Sequence, residues 1–402
     1  MNMLKVKVSI AKIFNKKLYF KYKAIIERSK DAESSSPKII LISHVSDDSG
    51  AVILLLEMIK ELYRRNFNIL LLTRNYGPLI EKASDYACIE VFSNNKNFKK
   101  SIKRAYNLGF RNVISNTTVN GDLIPILKNE SFNVISLVHE LPLTIKKLGI
   151  EKNAKLLARH SDFIVFPSQY VMDKFKTISP IRSKCLIKAQ GVNLTDGFEI
   201  NRNDAKNKIY QIFSISQSSQ LVLGVGAGDM RKGYDIFLDL AAKCTYNNIK
   251  FIWVGKYRKD IYDKKIHYHG LSKFNNLYQV GFISDIELLS SFYAASDVFV
   301  LTSREDPFPS VVLQAFNAKT PVVGFKDAGG FQDIVKTGFS GYLVDYEDVD
   351  NMLKTIEFLI NNNDHREKMG NNAKKIANSY SFSEYIDYLL KLFQKCEVRG
   401  EK

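Results

Sequence analysis

Long apolar runs are missing from this sequence: no stretch nears the roughly 20 residues that a membrane-spanning helix needs, so an integral membrane protein is not expected. Cysteine is scarce too. Cys88, Cys185, Cys244 and Cys396 stand far apart with no C-x-x-C pair, which argues against a disulfide framework or a cysteine zinc site and fits a reducing cytoplasm. With 9 Pro and 21 Gly in 402 residues, fibre and low-complexity disorder are equally out. No D-x-D triplet directly follows a strand-like run, and His267 with His269 forms an exposed H-Y-H lacking a third ligand nearby, so no metal site is expected. The N-terminus alternates lysine with apolar residues and lacks a signal-peptide core, so export is not expected.

Positive charge, by contrast, is plentiful. The formal net charge is +16, which reflects in part a composition rich in Lys, Asn and Ile and otherwise points to an anionic partner: nucleic acid, an anionic membrane surface or phosphorylated substrates. Residues 1–36 carry nine Lys/Arg against three Asp/Glu, and Lys96, Lys99, Lys100, Lys103 and Arg104 fall close together. No aromatic platform or recognition helix is interleaved with these charges, so nucleic acid is not the expected partner. The first 26 residues mix Ile10, Ile13, Phe14, Leu18, Tyr22 and Ile25 with lysines, as either a basic interfacial helix or a helix packed on the first domain does.

At about 150 residues per domain the chain holds two domains. KIILIS (38–43) is a β-branched run of the kind that forms a buried parallel strand, and Ile53, Leu55, Leu56, Ile59 and Leu62 then recur at helical spacing. Further strands are predicted at 68–73, 112–115, 133–138 and 162–166, with helical stretches between them. The rhythm dissolves into a polar linker around 193–207 and resumes with strands at 221–225, 250–254, 278–282, 298–302 and 321–325. The expected organisation is a basic extension at 1–36, an α/β domain at 37–200, a second at 201–382, and a C-terminal helix at 383–402 that crosses back to the first domain. Two doubly wound α/β domains place functional residues in loops just after strands, at the carboxyl ends.

The most informative stretch is SREDPFPSVVLQAFNAKTPVVGFKDAGGFQDIVKTGFSG, from Ser303 to Gly341. It resembles the C-terminal signature of the family 4 retaining glycosyltransferases, and a weaker resemblance extends over most of the chain. The resemblance implies the GT-B fold, two Rossmann-like doubly wound domains facing a central cleft, with a nucleotide-sugar donor. In that family an acid contacts the donor sugar and a second acid, eight positions on, contacts the ribose. Asp306 and Gln314 occupy those positions, with Glu305 just before the first, and whether Glu305 or Asp306 takes the first role stays open. Gln314 hydrogen-bonds hydroxyls without being a charged acceptor.

LVLGVGAGDMRKGYDIFLDLA, residues 221–241, resembles the family's pyrophosphate clamp. Lys232 matches the family lysine, and Ala227 stands where the family has an arginine, which makes Arg231 the substitute cation beside Gly226. Cations there ease the departure of a diphosphate. A dinucleotide fingerprint is rejected because Asp229 occupies the place of its third glycine. Gly50, at the start of the first helix, matches the loop where backbone amides approach donor phosphates. Phe282, and the Ala328, Gly329, Gly330 and Phe331 loop with its backbone amides, complete the donor side. His139, in LVHELP, matches a family histidine near the transferred sugar, with His44 and Glu140 on the acceptor side.

The resemblance implies a metal-independent, retaining transfer that needs no cofactor beyond the donor substrate, a UDP-sugar being expected first. Expected partners are the nucleotide-sugar and a glycan or lipid-linked acceptor; the expected place is the cytoplasm, either free in it or peripheral on the inner face of the membrane with its anionic surface as a further partner. Capsule, O-antigen or lipopolysaccharide synthesis is the expected setting. A sugar-nucleotide epimerase of GT-B fold and a non-catalytic partner subunit are the alternatives.

Overall fold

Strands buried on both faces read as unbroken β-branched and leucine runs, and in the computed structural model KIILIS and NILLLT meet side by side in the middle of one sheet. The structure describes residues 36–191 and 200–400; the basic interfacial helix read into the first residues lies outside them. The described chain divides into two units, one of residues 36–166, 172–188 and 386–400, the other of residues 167–171, 189–191 and 200–385. The break thus falls at 188 instead of 200, and the C-terminal helix, Phe382–Gly400, divides after Tyr385. Residues 167–171 group with the second unit because Gln169 N–H donates to Asp333 (3.2 Å) and the Tyr170 hydroxyl to the Asp327 carbonyl (2.7 Å).

The first unit holds β1 (Lys38–Ser43), β2 (Asn68–Thr73), β3 (Cys88–Val91), β4 (Asn112–Asn116), β5 (Asn133–Leu137), β6 (Phe163–Phe166) and β7 (Lys184–Ile187), all parallel, in the order β3-β2-β1-β4-β5-β6-β7. Ile39, Ile40, Leu41 and Ile42 are wholly buried. The second unit holds β8 (Gln220–Val225), β9 (Ile249–Val254), β10 (Leu277–Val280), β11 (Val298–Leu301), β12 (Val322–Phe325) and β13 (Gly341–Val344), again all parallel, in the order β10-β9-β8-β11-β12-β13. Both are doubly wound Rossmann-like sheets, as expected. Each order reverses beside the unit's first strand, so the loops after β1 and β4, and after β8 and β11, leave to opposite faces and open a crevice between them.

Three strands were not read from the sequence: β3, β7 and β13. Each is four residues long and lies at a sheet edge, where one neighbour is missing and part of the strand is solvated, so the apolar run that marks a buried strand never builds up. The predicted strand 278–282 is β10 at 277–280, which leaves Phe282 in the following loop. The polar stretch read as linker is corrected at its end: residues 202–207 open the helix Arg202–Phe213. Asn201 caps that helix by accepting from the N–H groups of Asn203 and Asp204, and Ala205, Ile209 and Tyr210 bury its inner face. No described helix is long and apolar enough to cross a membrane.

Candidate functional site

In the second unit the crevice lies between the loop after β8, which leads into the helix Tyr234–Lys243, and the loop after β11, which leads into the helix Ser310–Asn317. Hydrogen bonds sew the two loops together. The Thr302 hydroxyl donates to the Lys232 carbonyl at 3.0 Å, Arg304 N–H to the Arg231 carbonyl at 2.8 Å, and the Arg231 guanidinium to the Glu305 carbonyl at 3.0 Å. Gly233 permits this approach: its φ is +66°, and a Cβ on it would stand 1.9 Å from the Thr302 carbonyl oxygen.

Across this seam the Lys232 ammonium meets the Asp306 carboxylate in a close ion pair, mostly shielded from solvent. The Ser303 hydroxyl donates to the same carboxylate oxygen at 3.4 Å, and the Lys232 N–H donates to Asp229 at 2.8 Å. Of the two acids left open by the sequence, Asp306 is therefore the one whose carboxylate reaches the lysine. Glu305 is buried beside it and presents its backbone carbonyl to Arg231. Gly226 lies just past β8, where a Cβ would come within 3.6 Å of the Lys232 side chain.

The loop after β12 closes the cluster. Asp306 N–H donates to the Ala328 carbonyl at 2.8 Å, and a Cβ on Gly329 would stand 1.8 Å from the Asp306 carbonyl oxygen. The expectation that Gly330 offers its amide to a ligand is corrected: that N–H is taken by the carbonyls of Asp306 (3.1 Å) and Pro307 (3.0 Å). Phe331 is wholly buried and packs in the core.

Gln314 is turned toward the protein interior, where the buried Tyr293 hydroxyl donates to its side-chain oxygen at 2.9 Å. Burial holds the Tyr293 phenol well above its ordinary range, so it remains a donor. The Gln314 amide N–H can still donate to a ligand, where a glutamate carboxylate would have no donor. Phe282 is exposed, in the loop after β10, two strands away from β8, and the hydrogen bonds of the Lys232 cluster do not include it.

Arg304 was missed. It forks onto Asp235 at 2.7 and 2.8 Å and also pairs with Glu347, and these hydrogen bonds raise its affinity for its proton. It anchors the acidic loop to the helix after Gly233. Asp235 is 69 residues away, so no local spacing announces the pair. His269 also departs from the reading of an exposed pair: its ring contacts Asp239 at 2.7 Å, beside Lys265, and is largely buried. Among the described residues no three or more His, Cys, Asp or Glu side chains are grouped to hold a metal ion.

In the first unit β1, β4 and β5 are neighbours, and their carboxyl ends bring His44, Asn116, Thr117, His139 and Glu140 together. His139 Nε2 lies 2.9 Å from Asn116 Oδ1, and His44 Nδ1 lies 3.2 Å from the Thr117 hydroxyl. Thr117 has φ +75° and ψ 155°, a region that β-branched residues rarely enter and that costs about 1–3 kcal/mol. Its N–H donates to the Leu137 carbonyl at 3.0 Å.

Burial pushes the His139 imidazole down to about 4, helped by the neighbouring His44, and burial also lowers His44. Glu140 is buried and raised by burial, against the N–H groups of Thr118 (3.0 Å) and His139 (3.2 Å) that donate to it. Glu140 therefore braces the turn after β5. Gly50 opens the helix Gly50–Arg64, whose N-terminus has no side-chain cap and no acidic residue in its first turn. A Cβ on Gly50 would meet open space. Asn116, Thr117 and Thr118 were not singled out from the sequence, although NVISN ends a strand just as LVHE does.

Residues 205–376 match the family model described as glycosyl transferases group 1. An uncharacterized glycosyltransferase of Methanocaldococcus jannaschii is 25% identical over 272 residues, 65% of this chain and 70% of that protein. The chain also resembles a GalNAc-alpha-(1->4)-GalNAc-alpha-(1->3)-diNAcBac-PP-undecaprenol alpha-1,4-N-acetyl-D-galactosaminyltransferase of Campylobacter jejuni, 25% identical over 44% of this chain and 48% of that enzyme. Among solved structures, Anabaena HepE in complex with UDP-glucose superposes with a TM-score of 0.77 at 19% identity, covering 89% of this chain and 99% of that one.

Proposed function

We propose that this chain, a relative of the group 1 glycosyl transferases with the GT-B fold, moves a sugar from a nucleotide-sugar to an acceptor hydroxyl. The observation that carries the proposal is the Lys232–Asp306 pair at the switch point of the second sheet, with Arg231 beside it. A cation there neutralises a diphosphate as it leaves, and a carboxylate accepts hydrogen bonds from sugar hydroxyls. Each has its preferred partner in the donor. UDP is the first nucleotide to test, since the similar HepE structure is a complex with UDP-glucose.

The transfer is proposed to proceed with retention and without a divalent metal. The acceptor oxygen forms its bond to the anomeric carbon on the face from which the diphosphate oxygen departs, and the acceptor proton passes to that phosphate. Lys232 and Arg231 take the charge that a metal would otherwise carry. His139 accepts a sugar hydroxyl, His44 and Glu140 shape the acceptor side, and the uncapped helix start at Gly50 receives phosphate oxygens. A glycan or lipid-linked acceptor is proposed, in capsule, O-antigen or lipopolysaccharide synthesis. Lys96, Lys99, Lys100, Lys103 and Arg104 lie along the exposed side of the helix Asn95–Asn107, which suits a peripheral location on an anionic membrane surface.

The test is a thermal-shift panel of UDP, GDP, dTDP and their common sugars with EDTA present, repeated on Lys232→Ala. A ligand at 100 times its dissociation constant stabilises the native state by about 2.7 kcal/mol. One nucleotide class should raise Tm in EDTA, and the shift should be lost in the variant. No shift with any nucleotide would overturn the donor assignment.

A further inference from the structure

Asn116 stands at the end of β4 with its side chain wholly buried, and its amide has two neighbours of unequal chemistry. One end lies 2.8 Å from the backbone carbonyl of Ala51, the other 2.9 Å from Nε2 of His139. A carbonyl oxygen only accepts, so the amide nitrogen must face Ala51 and the amide oxygen must face His139. An amide oxygen also only accepts. Hence the hydrogen between Asn116 and His139 resides on Nε2, and a neutral imidazole with Nε2–H has a bare lone pair on Nδ1. No described group hydrogen-bonds that Nδ1.

The amide itself is not free to turn over. A swap of oxygen and nitrogen would set Asn116 Oδ1 against the Ala51 oxygen, two acceptors at hydrogen-bond distance in a buried site. The Asn116 main chain is held as well, its carbonyl accepting from Asn120 Nδ2 at 2.8 Å. On the other side of the crevice His44 is engaged through Nδ1 with the Thr117 hydroxyl, so the two imidazoles are oriented by adjacent residues of one strand end.

We propose that Asn116 is a positioning residue that holds His139 as the Nε2–H tautomer, with Nδ1 as a fixed hydrogen-bond acceptor for a sugar hydroxyl. The tautomer stands on geometry alone; its use rests on the nucleotide-sugar reading above. The consequence for specificity is that the sugar position facing His139 must bring an O–H or N–H. A carboxylate or fluorine there meets a lone pair and is rejected.

Long-range proton–nitrogen NMR on protein labelled with 15N-histidine reads the tautomer directly, with His139→Gln used to assign the signal. Wild-type His139 should carry its proton on Nε2. Asn116→Leu and the smaller Asn116→Ala, both of which remove the acceptor facing the ring, should lose that pattern. A proton on Nδ1 in the wild type, or an unchanged tautomer in folded Asn116→Leu, overturns the proposal. Should Asn116→Leu fail to fold, Asn116→Ala decides it by the same reading.

For the UDP-sugar that stabilises the wild type, Asn116→Leu should weaken binding by about five-fold, the worth of one hydrogen bond of ~1 kcal/mol, while UDP itself binds as before. Equal weakening of UDP and UDP-sugar would sink the proposed use of Nδ1. If the wild type binds no nucleotide, the donor reading fails while the tautomer result still decides the role of Asn116.

Discussion

His139 and His44 face a crevice that keeps both imidazoles neutral, and this has a thermodynamic cost that can be measured. His139 titrates near 4 in the folded chain, depressed by burial and by His44, whereas an unfolded histidine takes its proton near 6.5. Between those values the unfolded chain binds more protons, so stability is full above about pH 6.5 and is lost as pH falls toward 4. Denaturant midpoints measured at about pH 7.5 and about pH 5 should show a larger loss for the wild type than for His139→Gln, which lacks this titration. Equal losses would show that His139 is not buried as a neutral ring. Glu140 works in the opposite direction, because burial raises it and its ionisation costs stability as pH climbs above the ordinary carboxylate range. The histidine effect is therefore best read as a difference between the two proteins. At this scale the sequence named His139 and Glu140 but not Asn116, because an asparagine at a strand end has no marker until a backbone carbonyl 65 residues away turns its amide.

The loop between β8 and its helix owes its shape to one glycine. Gly233 and Gly270 have nearly the same φ, +66° and +61°, but a Cβ on Gly233 would strike the Thr302 carbonyl whereas one on Gly270 would meet nothing within 4 Å. The left-handed conformation alone costs an alanine about 1–2 kcal/mol. Gly270→Ala should therefore lose about that much, and Gly233→Ala clearly more, because the seam carrying Lys232 and Arg304 must also part. Urea unfolding followed by Trp253, the single tryptophan, buried in β9, measures both. Equal losses would mean that the loop after β11 yields without cost. The glycine itself was visible in the sequence as part of GDMRKGYD. Its reason was not, since the atom it makes room for belongs to residue 302. The three edge strands were missed for a related cause: with one neighbour each they need less apolar surface and announce themselves less.

Across the molecule the excess of positive charge is not confined to the surface. Asp297, wholly buried just before β11, takes Arg202 at 2.7 Å, Lys206 at 3.1 Å and Arg366 at 3.6 Å, and accepts the Leu221 N–H at 2.8 Å. One carboxylate thus ties the first helix of the second unit and the helix Asn363–Asn378 to the two central strands, β8 and β11. Asp297→Ala should destabilise the second unit by about 3 kcal/mol, the low end of breaking a buried ion pair, because Arg366 is left buried without its partner while Arg202 is 40% exposed. A fall in the Trp253 unfolding midpoint measures it, and a change within about 0.5 kcal/mol, the range of ordinary surface substitutions, would show that solvent already serves those cations. The sequence by itself determined the two sheets, their parallel strands, the resemblance to glycosyltransferases and the candidate residues at strand ends. Those signals are local, written in runs of β-branched residues, in helical spacing and in short motifs. Only the tertiary structure decided which of two adjacent acids meets Lys232, that Gly330 has no amide to spare, that Gln314 turns inward to Tyr293, and that Asn116 orients His139. Each of these depends on atoms from strands that are neighbours in the sheet but distant along the chain, and it is the strand order that makes them neighbours.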